Sequence, residues 1–342
     1  MSINLPFVSI ILPVYNEEKF IEKCIQAVQD QDYPPEKIEI LIADGLSTDK
    51  TVALLNVMQA TDGRIRVFSN PGKIVPIGLN MLIREAKGDI VVRIDGHCIP
   101  EKDYVSNCVR HIQEDGVEAV GGPMKTIQMD EEYECIALAT SSKFGVGNST
   151  FRTMDGLTKF VDTVSFPAYS KALIEEVGLY DEELVRNQDD EYNYRCREKG
   201  YKILLANDVR SVYFARSSFK KLWKQYFQYG YWKVRVLQKH PRQMSLRQFV
   251  PPAFVLAILF FSMFALLFSW GWMALLAFLG LYLIINLAVS LSISSKKGWQ
   301  LFPGLVLSFL ILHLSYGTGF ITGLFTFWNR WNDRDKGKSS KS

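Results

Sequence analysis

The chain falls into two regimes of apolar patterning. Up to about residue 205, short β-branched runs alternate with stretches whose apolar residues recur at helical spacing. Phe7–Leu12 reads as a buried strand stopped by Pro13. Glu17–Gln29 then carries Phe20, Ile21, Cys24, Ile25 and Val28 on one helical face. The same logic gives strands at Ile38–Ala43, Ile65–Phe68 and Ile90–Ile94, and helices at Thr48–Ala60 and Ile77–Ala86. Strictly alternating strands and helices predict right-handed βαβ units and a parallel, doubly wound sheet. Such sheets bind ligands beyond the carboxyl ends of their strands, near a topological switch point.

The second regime is almost uncharged. Gln248 to Ser295 contains no Asp, Glu, Lys or Arg, and neither does Gly298 to Asn329. About 20 apolar helical residues cross a bilayer, and three runs qualify, at about 249–270, 272–293 and 301–327. Pro251-Pro252 suit the first turn of the first run. Gly317, Gly319 and Gly323 weaken the third. Trp270, Trp272, Trp299, Trp328 and Trp331 fall at run ends, where interfacial aromatics belong. Arg235, Lys239, Arg242 and Arg247 precede the first run and Lys296-Lys297 follow the second, which places both sets on the cytoplasmic side of a hairpin. A full third crossing then puts the basic tail (Arg330, Arg334, Lys336, Lys338, Lys341) outside, against that tendency. A re-entrant third segment is the alternative.

Composition separates the two parts further. The 342 residues are 48% hydrophobic and 22% charged, with a net charge of +3. Residues after 248 carry seven basic and two acidic side chains, so the preceding part is mildly acidic, with 32 basic against 34 acidic. Such a balance excludes nucleic-acid binding through a basic surface, and the hydrophobic content excludes disorder. No N-terminal signal peptide is expected, because Met1–Leu5 lacks a basic start and the following apolar stretch ends at Pro13. Five scattered cysteines (Cys24, Cys98, Cys108, Cys135, Cys196) without a C-x-x-C pair read as reduced cytosolic thiols. The sequon Asn148-Ser149-Thr150 matters only in a lumenal domain.

Candidate chemistry follows the strands. Pro13-Val14-Tyr15-Asn16-Glu17 succeeds the first, Asp44-Gly45-Leu46-Ser47-Thr48-Asp49 the second, and Asp95-Gly96-His97 the fourth. None contains G-x-G-x-x-G or G-x-x-x-x-G-K, so a dinucleotide or P-loop enzyme lacks its phosphate loop. Gly145-Val146-Gly147 only imitates one. Asp95 and His97, two apart, project to one face of an extended strand end. That pair suits a divalent cation which also holds a diphosphate, with carboxylate favouring Mg2+ and imidazole Mn2+. A solvated Asp-Gly turn is the plainer reading of the same residues. Asp189-Asp190-Glu191 looks like a helix N-terminus favoured by the dipole, with Gly200 closing the helix. Its functional reading is a general base.

Together these segments resemble family 2 glycosyltransferases, which have the GT-A fold. Val8–Glu17 resembles the opening strand, and Ile40–Thr51 the second strand with its D-D-G-S-T-D turn. Asp95-Gly96-His97 stands at the D-x-D position. Gln188-Asp189 stands at the E-D pair, and Arg195, Arg197, Gly200 and Tyr201 follow as R-x-R-x-x-G-Y. Several further segments resemble bacterial succinoglycan-type glucosyltransferases of exopolysaccharide synthesis: Arg93–His97, Phe144–Asn148, Val161–Phe166, Gln225–Gly230 and the three-run C-terminus.

The resemblance implies a cytoplasmic GT-A domain over 1–215, a basic aromatic interfacial segment over 216–248, membrane helices over 249–329 and a tail over 330–342. It implies a UDP-sugar bound by Pro13, Tyr15, Glu17, Asp44 and Asp95, with Asp44 receiving the uracil. Asp95 and His97 would hold Mn2+ or Mg2+, and Asp189 would be the base of an inverting displacement. Asp190, Arg195, Gln225 and Tyr229 would serve the acceptor or a closing segment. Lys73, or a cation among Arg216, Lys220 and Lys221, would assist the departing diphosphate, although solvated surface cations are the plainer reading. His97 replaces the second Asp of D-x-D and Gln188 the usual Glu. The processive Q-x-x-R-W signature is absent, since Gln228 and Tyr229 follow Gln225. Single-sugar transfer is therefore expected, with glucose as the implied sugar. The acceptor is a polyprenyl-linked glycan at the inner membrane. Membrane lipid and other polysaccharide-synthesis enzymes are the further partners, with no nucleic acid. The segment Phe219–Val236 interleaves aromatics with Lys220, Lys221, Lys224, Lys233 and Arg235, as a helix in the membrane interface does. A polyprenyl-phosphate glycosyltransferase and a non-catalytic nucleotide-sugar-binding protein are the rival readings.

Overall fold

The structure is a computed structural model in which residues 5–128, 133–147, 156–215 and 218–332 are described. The sequon at 148–150, Arg216 and the tail cations beyond residue 332 lie outside them. Two compact units emerge: Met1–Lys125 with Thr150–Phe214, and Thr126–Ser149 with Ala215–Ser342. The sequence reading kept 126–149 in the first domain, whereas these residues group with the C-terminal helices.

In the first unit, β1 (Val8–Val14), α1 (Ile21–Gln29), β2 (Ile38–Asp44), α2 (Thr51–Thr61), β3 (Ile65–Ser69), α3 (Val75–Glu85) and β4 (Ile90–Arg93) follow in order. After them come β5 (Cys98–Pro100), α4 (Tyr104–Glu114) and β6 (Ala119–Gly121). Strand β7 (Met124–Ile127) carries the chain into the second unit, which holds α5 (Glu134–Thr140) and α6 (Lys143–Val146). The first unit resumes with β8 (Lys159–Phe160), β9 (Ala168–Ser170), α7 (Lys171–Val177), α8 (Gln188–Glu198), β10 (Ile203–Leu205) and β11 (Ser211–Phe214).

The main sheet has the order β3-β2-β1-β4-β9-β6-β10-β8. It is mostly parallel, with β9 and β8 antiparallel to their neighbours. Every residue of β1 and β2 is buried, as expected of strands covered on both faces. Ile10 and Leu12 face one core cluster and Ile11 the other. Each such side chain contributes about 2 kcal/mol by leaving water.

Pro13 does not end β1, which runs on to Val14 in register with Asp44. Ile11 O accepts from Ile94 N on the β4 side, and Val14 O accepts from Gly45 N on the β2 side. Side alternation therefore points the Pro13 nitrogen toward β4. That ladder has already ended at the Ile11–Arg93 pair, so the missing N–H costs no bond. The chain proceeds from β1 to β2 and β3 on one side, then crosses to β4 on the other. The switch point therefore lies between the ends of β1 and β4.

The second unit adds α9 (Phe219–Lys239), α10 (Val250–Leu267), α11 (Gly271–Lys297) and α12 (Phe302–Thr326). The last three are long and apolar enough to cross a membrane. The glycines of α12 do not break it; they mark close approaches. A Cβ at Gly323 would lie 2.6 Å from Tyr231 O, and one at Gly317 2.5 Å from Pro251 O. Lys233 and Arg235, read as interfacial cations, are buried at 2% and 0% exposure. Arg235 and Gln238 instead reach the carbonyls of Arg330 and Phe327 just beyond α12, where a helix end favours positive charge and donors. Lys220, Lys221, Trp223 and Lys224 remain exposed.

Candidate active site

The carboxyl edge of the sheet is built by two turns that lock together. Asn16 takes a positive φ of 54° after β1 and Leu46 one of 61° after β2, conformations non-glycine residues rarely adopt. Asn16 N donates to Ser47 Oγ at 2.8 Å, Thr48 N to Asn16 Oδ1 at 2.8 Å and Glu17 N to Thr51 Oγ1 at 2.8 Å. Asp49 accepts from Glu18 N and from Thr51 N. Partial burial would raise its pKa, but the Thr51 hydrogen bonds prevail and lower it. The Ser, Thr and second Asp of the D-G-L-S-T-D turn thus hold backbone. Further positive-φ residues, Lys73, Phe166 and Asn187, follow β3, precede β9 and open α8. Backbone strain of this kind gathers at functional sites.

Within this frame Asp44 is buried, and its Oδ2 accepts from Ser47 N at 3.0 Å. Its Oδ1 is buried with no hydrogen-bond partner, a costly state unless a ligand supplies a donor. Pro13 is buried and Tyr15 is half exposed at the same turn. Gly96 allows the two strand ends to approach, since a Cβ there would meet Val14 Cγ1 at 3.0 Å and Glu17 Cγ at 3.1 Å.

Glu17 turns to His97 rather than outward: its Oε1 lies 2.8 Å from Nδ1. The imidazole also packs edge-on against Tyr213, ring centroids 4.9 Å apart. A carboxylate on one ring nitrogen is how metal-binding histidines are commonly oriented, the other nitrogen facing the ion. Among the described residues, no group of three or more His, Cys, Asp or Glu side chains converges as a metal site. Asp95 and His97 alone could offer a cation two protein ligands, its remaining positions left to substrate oxygens and water.

The residue that sequence reasoning passed over is Arg93. It lies at the end of β4 with a side chain only 3% exposed, and it joins two carboxylates from distant parts of the chain. Nε and Nη2 reach Asp95 Oδ1 at 3.1 and 3.0 Å, and Nη1 donates to Asp189 Oδ1. Burial opposes its charge, yet Asp95 and its other neighbours outweigh burial and hold the pKa above the usual arginine value. Asp95 and Asp189 stay 22% and 31% exposed, so both are buttressed from inside and open outward.

Asp189 sits in the first turn of α8, as the pattern predicted, with Asp190 half-buried beside it. Arg195 is committed elsewhere: Nε pairs with Glu191 at 2.7 Å, and Nη1 and Nη2 donate to Val177 O and Leu179 O, each at 2.8 Å. This clamp holds the segment after α7 against α8, so an acceptor role does not fit it. Gln225 and Tyr229 belong to the second unit, where Gln225 Nε2 donates to Tyr229 Oη at 2.9 Å. Lys73 is exposed in its left-handed turn. All five cysteines are buried and none is in a disulfide, and burial raises every thiol pKa.

The mostly parallel sheet with carboxylates at its switch point is GT-A-like, and the comparisons with known proteins name the family. The chain belongs to glycosyl transferase family 2, whose family model matches residues 9–178. It is 33% identical over 241 residues to the Methanococcus voltae dolichyl N-acetyl-alpha-D-glucosaminyl phosphate 3-beta-D-2,3-diacetamido-2,3-dideoxy-beta-D-glucuronosyltransferase, covering 68% of this chain and 74% of that protein. It is 28% identical over 323 residues to the succinoglycan biosynthesis protein ExoA of Rhizobium meliloti (strain 1021), covering 94% and 96%. The solved mannosyltransferase PcManGT from Pyrobaculum calidifontis, in complex with GDP-Man and Mn2+, shares the GT-A-like fold. Its TM-score is 0.59 at 17% identity, over 94% of this chain and 88% of that one.

Proposed function

We propose that this chain is a membrane-anchored, inverting glycosyltransferase of the cytoplasmic face of the inner membrane. It moves one sugar, glucose by its likeness to succinoglycan-type enzymes, from a UDP-sugar to a hydroxyl of a polyprenyl-linked glycan. The observation that carries the donor reading is Asp44 Oδ1, buried without a partner and matched to an N–H donor such as that of a uracil ring. The Methanococcus relative is named for transfer to a sugar on a lipid phosphate, which supports a hydroxyl acceptor over a bare phosphate.

In this mechanism Asp44 and the turn at Pro13 and Tyr15 receive the nucleoside, while Glu17 orients His97. Asp95 faces the ribose and diphosphate. Asp189 takes the proton of the acceptor hydroxyl as the new bond forms at the anomeric carbon on the face opposite the leaving diphosphate. A Mn2+ or Mg2+ held by Asp95 and His97 would neutralise charge on the leaving group.

Transfer from a panel of labelled UDP-sugars, with Mn2+ and Mg2+ compared, tests the reading directly. Lipid-linked glycan and bare polyprenyl phosphate are offered as separate acceptors. No transfer from any UDP-sugar would sink it, and labelling of bare polyprenyl phosphate alone would replace it with the rival lipid-phosphate reaction. Asp44→Asn keeps the Ser47 hydrogen bond and loses the charge, so UDP affinity should fall roughly 10- to 100-fold, as for one charge-assisted hydrogen bond. Calorimetric titration reads this, and unchanged affinity removes Asp44 from the donor site. Glu17→Gln should raise the Mn2+ concentration needed for UDP binding by about 10-fold or more, the usual cost of losing an outer partner of a metal-binding histidine.

A further inference from the structure

We infer that only the α10–α11 hairpin crosses the bilayer. On this topology α12 lies with α9 against the membrane surface on the side of the catalytic unit, and the C-terminal tail emerges on that same side. By length α12 qualifies as a candidate span like the other two, but it is less apolar and its surroundings differ. Half of its apolar window is buried within the protein, against 17% for each of the others. Leu259, Met263 and Leu266 of α10 and Met273 and Leu276 of α11 are exposed, as lipid-facing residues are, whereas Leu305, Phe309, Leu312 and Phe320 of α12 are buried. An all-round apolar helix is either a membrane span or a core helix, and α12 is covered as a core helix.

The elements that cover it carry the argument. Helix α9 runs beside α12 in the same direction: Phe227 meets Gly319, Tyr231 meets Gly323, and Gln238 Nε2 donates to Phe327 O at 2.7 Å. If α12 crossed the bilayer, α9 would cross with it and carry Lys220, Lys221, Lys224, Lys233 and Arg235 into hydrocarbon, where charges are rare and costly. Helices α5 and α6, of seven and four residues, are far too short to cross. They too pack on α12, with Cys135 against Gly304 and Phe144 O 2.9 Å from His313 Nε2.

The hydrogen bonds, ring contacts and close glycine approach that join α12 to the hairpin sit toward one end. Asn286 Nδ2 donates to Val306 O at 3.1 Å, Tyr282 Oη lies 2.9 Å from His313 Nδ1, and the Phe249 and Phe320 rings are 5.9 Å apart. Phe254 stacks on Tyr282 at 4.4 Å, which marks this level as the start of α10. From Val306 to Phe320, α12 therefore passes from α11 across to α10 at one depth instead of running along the hairpin. Beyond Asn286, α11 turns polar, with Ser290, Ser292, Ser294 and Ser295 before Lys296-Lys297. The occupant of the uncovered face is the lipid headgroup layer, which the exposed Lys220, Lys221, Lys224, Lys296 and Lys297 would meet with opposite charge. Two crossings also return all the basic residues after 248 to one side, in line with the positive-inside tendency.

Because the native cysteines are buried, single introduced thiols can report sidedness in the full chain. Lys171→Cys in the catalytic unit, Ser269→Cys between α10 and α11, and Ser340→Cys in the tail are treated with a membrane-impermeant maleimide in sealed vesicles of both orientations. Ser340→Cys should label where Lys171→Cys labels and lose its label where Ser269→Cys gains it. Labelling of Ser340→Cys together with Ser269→Cys overturns the inference by restoring a third crossing, and labelling of Ser269→Cys together with Lys171→Cys overturns it by removing the hairpin. A reporter that fluoresces only in the cytoplasm, fused after Ser342, repeats the test without any substitution. Fluorescence is expected, and its loss in a chain that accumulates normally counts against the topology.

Discussion

Asp189→Asn should lower kcat roughly 1,000-fold, within the range a positioned general base contributes, while the protein still accumulates in membranes. The substitution keeps an oxygen that can accept from Arg93, and Arg93 keeps its two bonds to Asp95, so the buried guanidinium is not stranded. UDP binding should stay within about tenfold of the native value, because proton removal from the acceptor is realised in the transition state. Single-turnover transfer and UDP calorimetry on the same preparation separate the two quantities. Turnover within a few-fold of native would end the assignment of Asp189 as base. Arg93→Lys offers a second view of the same site. A lysine ammonium is a point charge that cannot hold two carboxylates in fixed positions as a guanidinium fork does. A misplacement of about 1 Å costs on the order of 100-fold. In the Asp189→Asn background the lysine should add a smaller loss than in the native protein, the remainder coming from its weakened hold on Asp95.

How far the site could be read in advance depended on the range of each interaction. The strands were legible because runs such as Ile38–Ala43 are apolar on both faces, and Asp44, Asp95 and Asp189 were legible because each follows a local pattern. Arg93 was not, because a lone arginine at a strand end looks like any charged edge residue. Its meaning lies in an ion pair to a residue 96 positions away. Glu17 was placed with the donor on its turn alone, and only the approach permitted by Gly96 turns it to His97. Pro13 was misread as a strand end because the side on which its nitrogen falls is set by the register with β4. Lys233 and Arg235 were read as interfacial from their aromatic neighbours. Arg235 is buried against a carbonyl beyond α12, 95 residues later in the chain, and Lys233 donates to Gln243.

The glycines of α12 give the second large effect. Gly317, Gly319 and Gly323 lower helix propensity, and from sequence alone they suggested a weak or re-entrant segment. In the structure they are the points of closest helix approach. A Cβ at Gly319 would overlap the Phe227 carbonyl, and one at Gly230 of α9 would overlap the Tyr316 carbonyl. Backbone lies on the far side of each contact, so no side chain can swing away to make room. Gly319→Leu should therefore force α9 and α12 apart, break the packing around Tyr231 and Phe320, and cost roughly 3 kcal/mol or more, the upper range for overpacking a tight core. The control is Gly280 of α11, where a Cβ would meet nothing within 4 Å. Gly280→Leu should leave stability close to native. Thermal unfolding of the two purified variants in one detergent provides the comparison. A Gly319→Leu protein as stable as the Gly280→Leu protein would mean that the α9–α12 contact is not the close pairing described above, and the membrane topology inferred from that pairing would lose its main support.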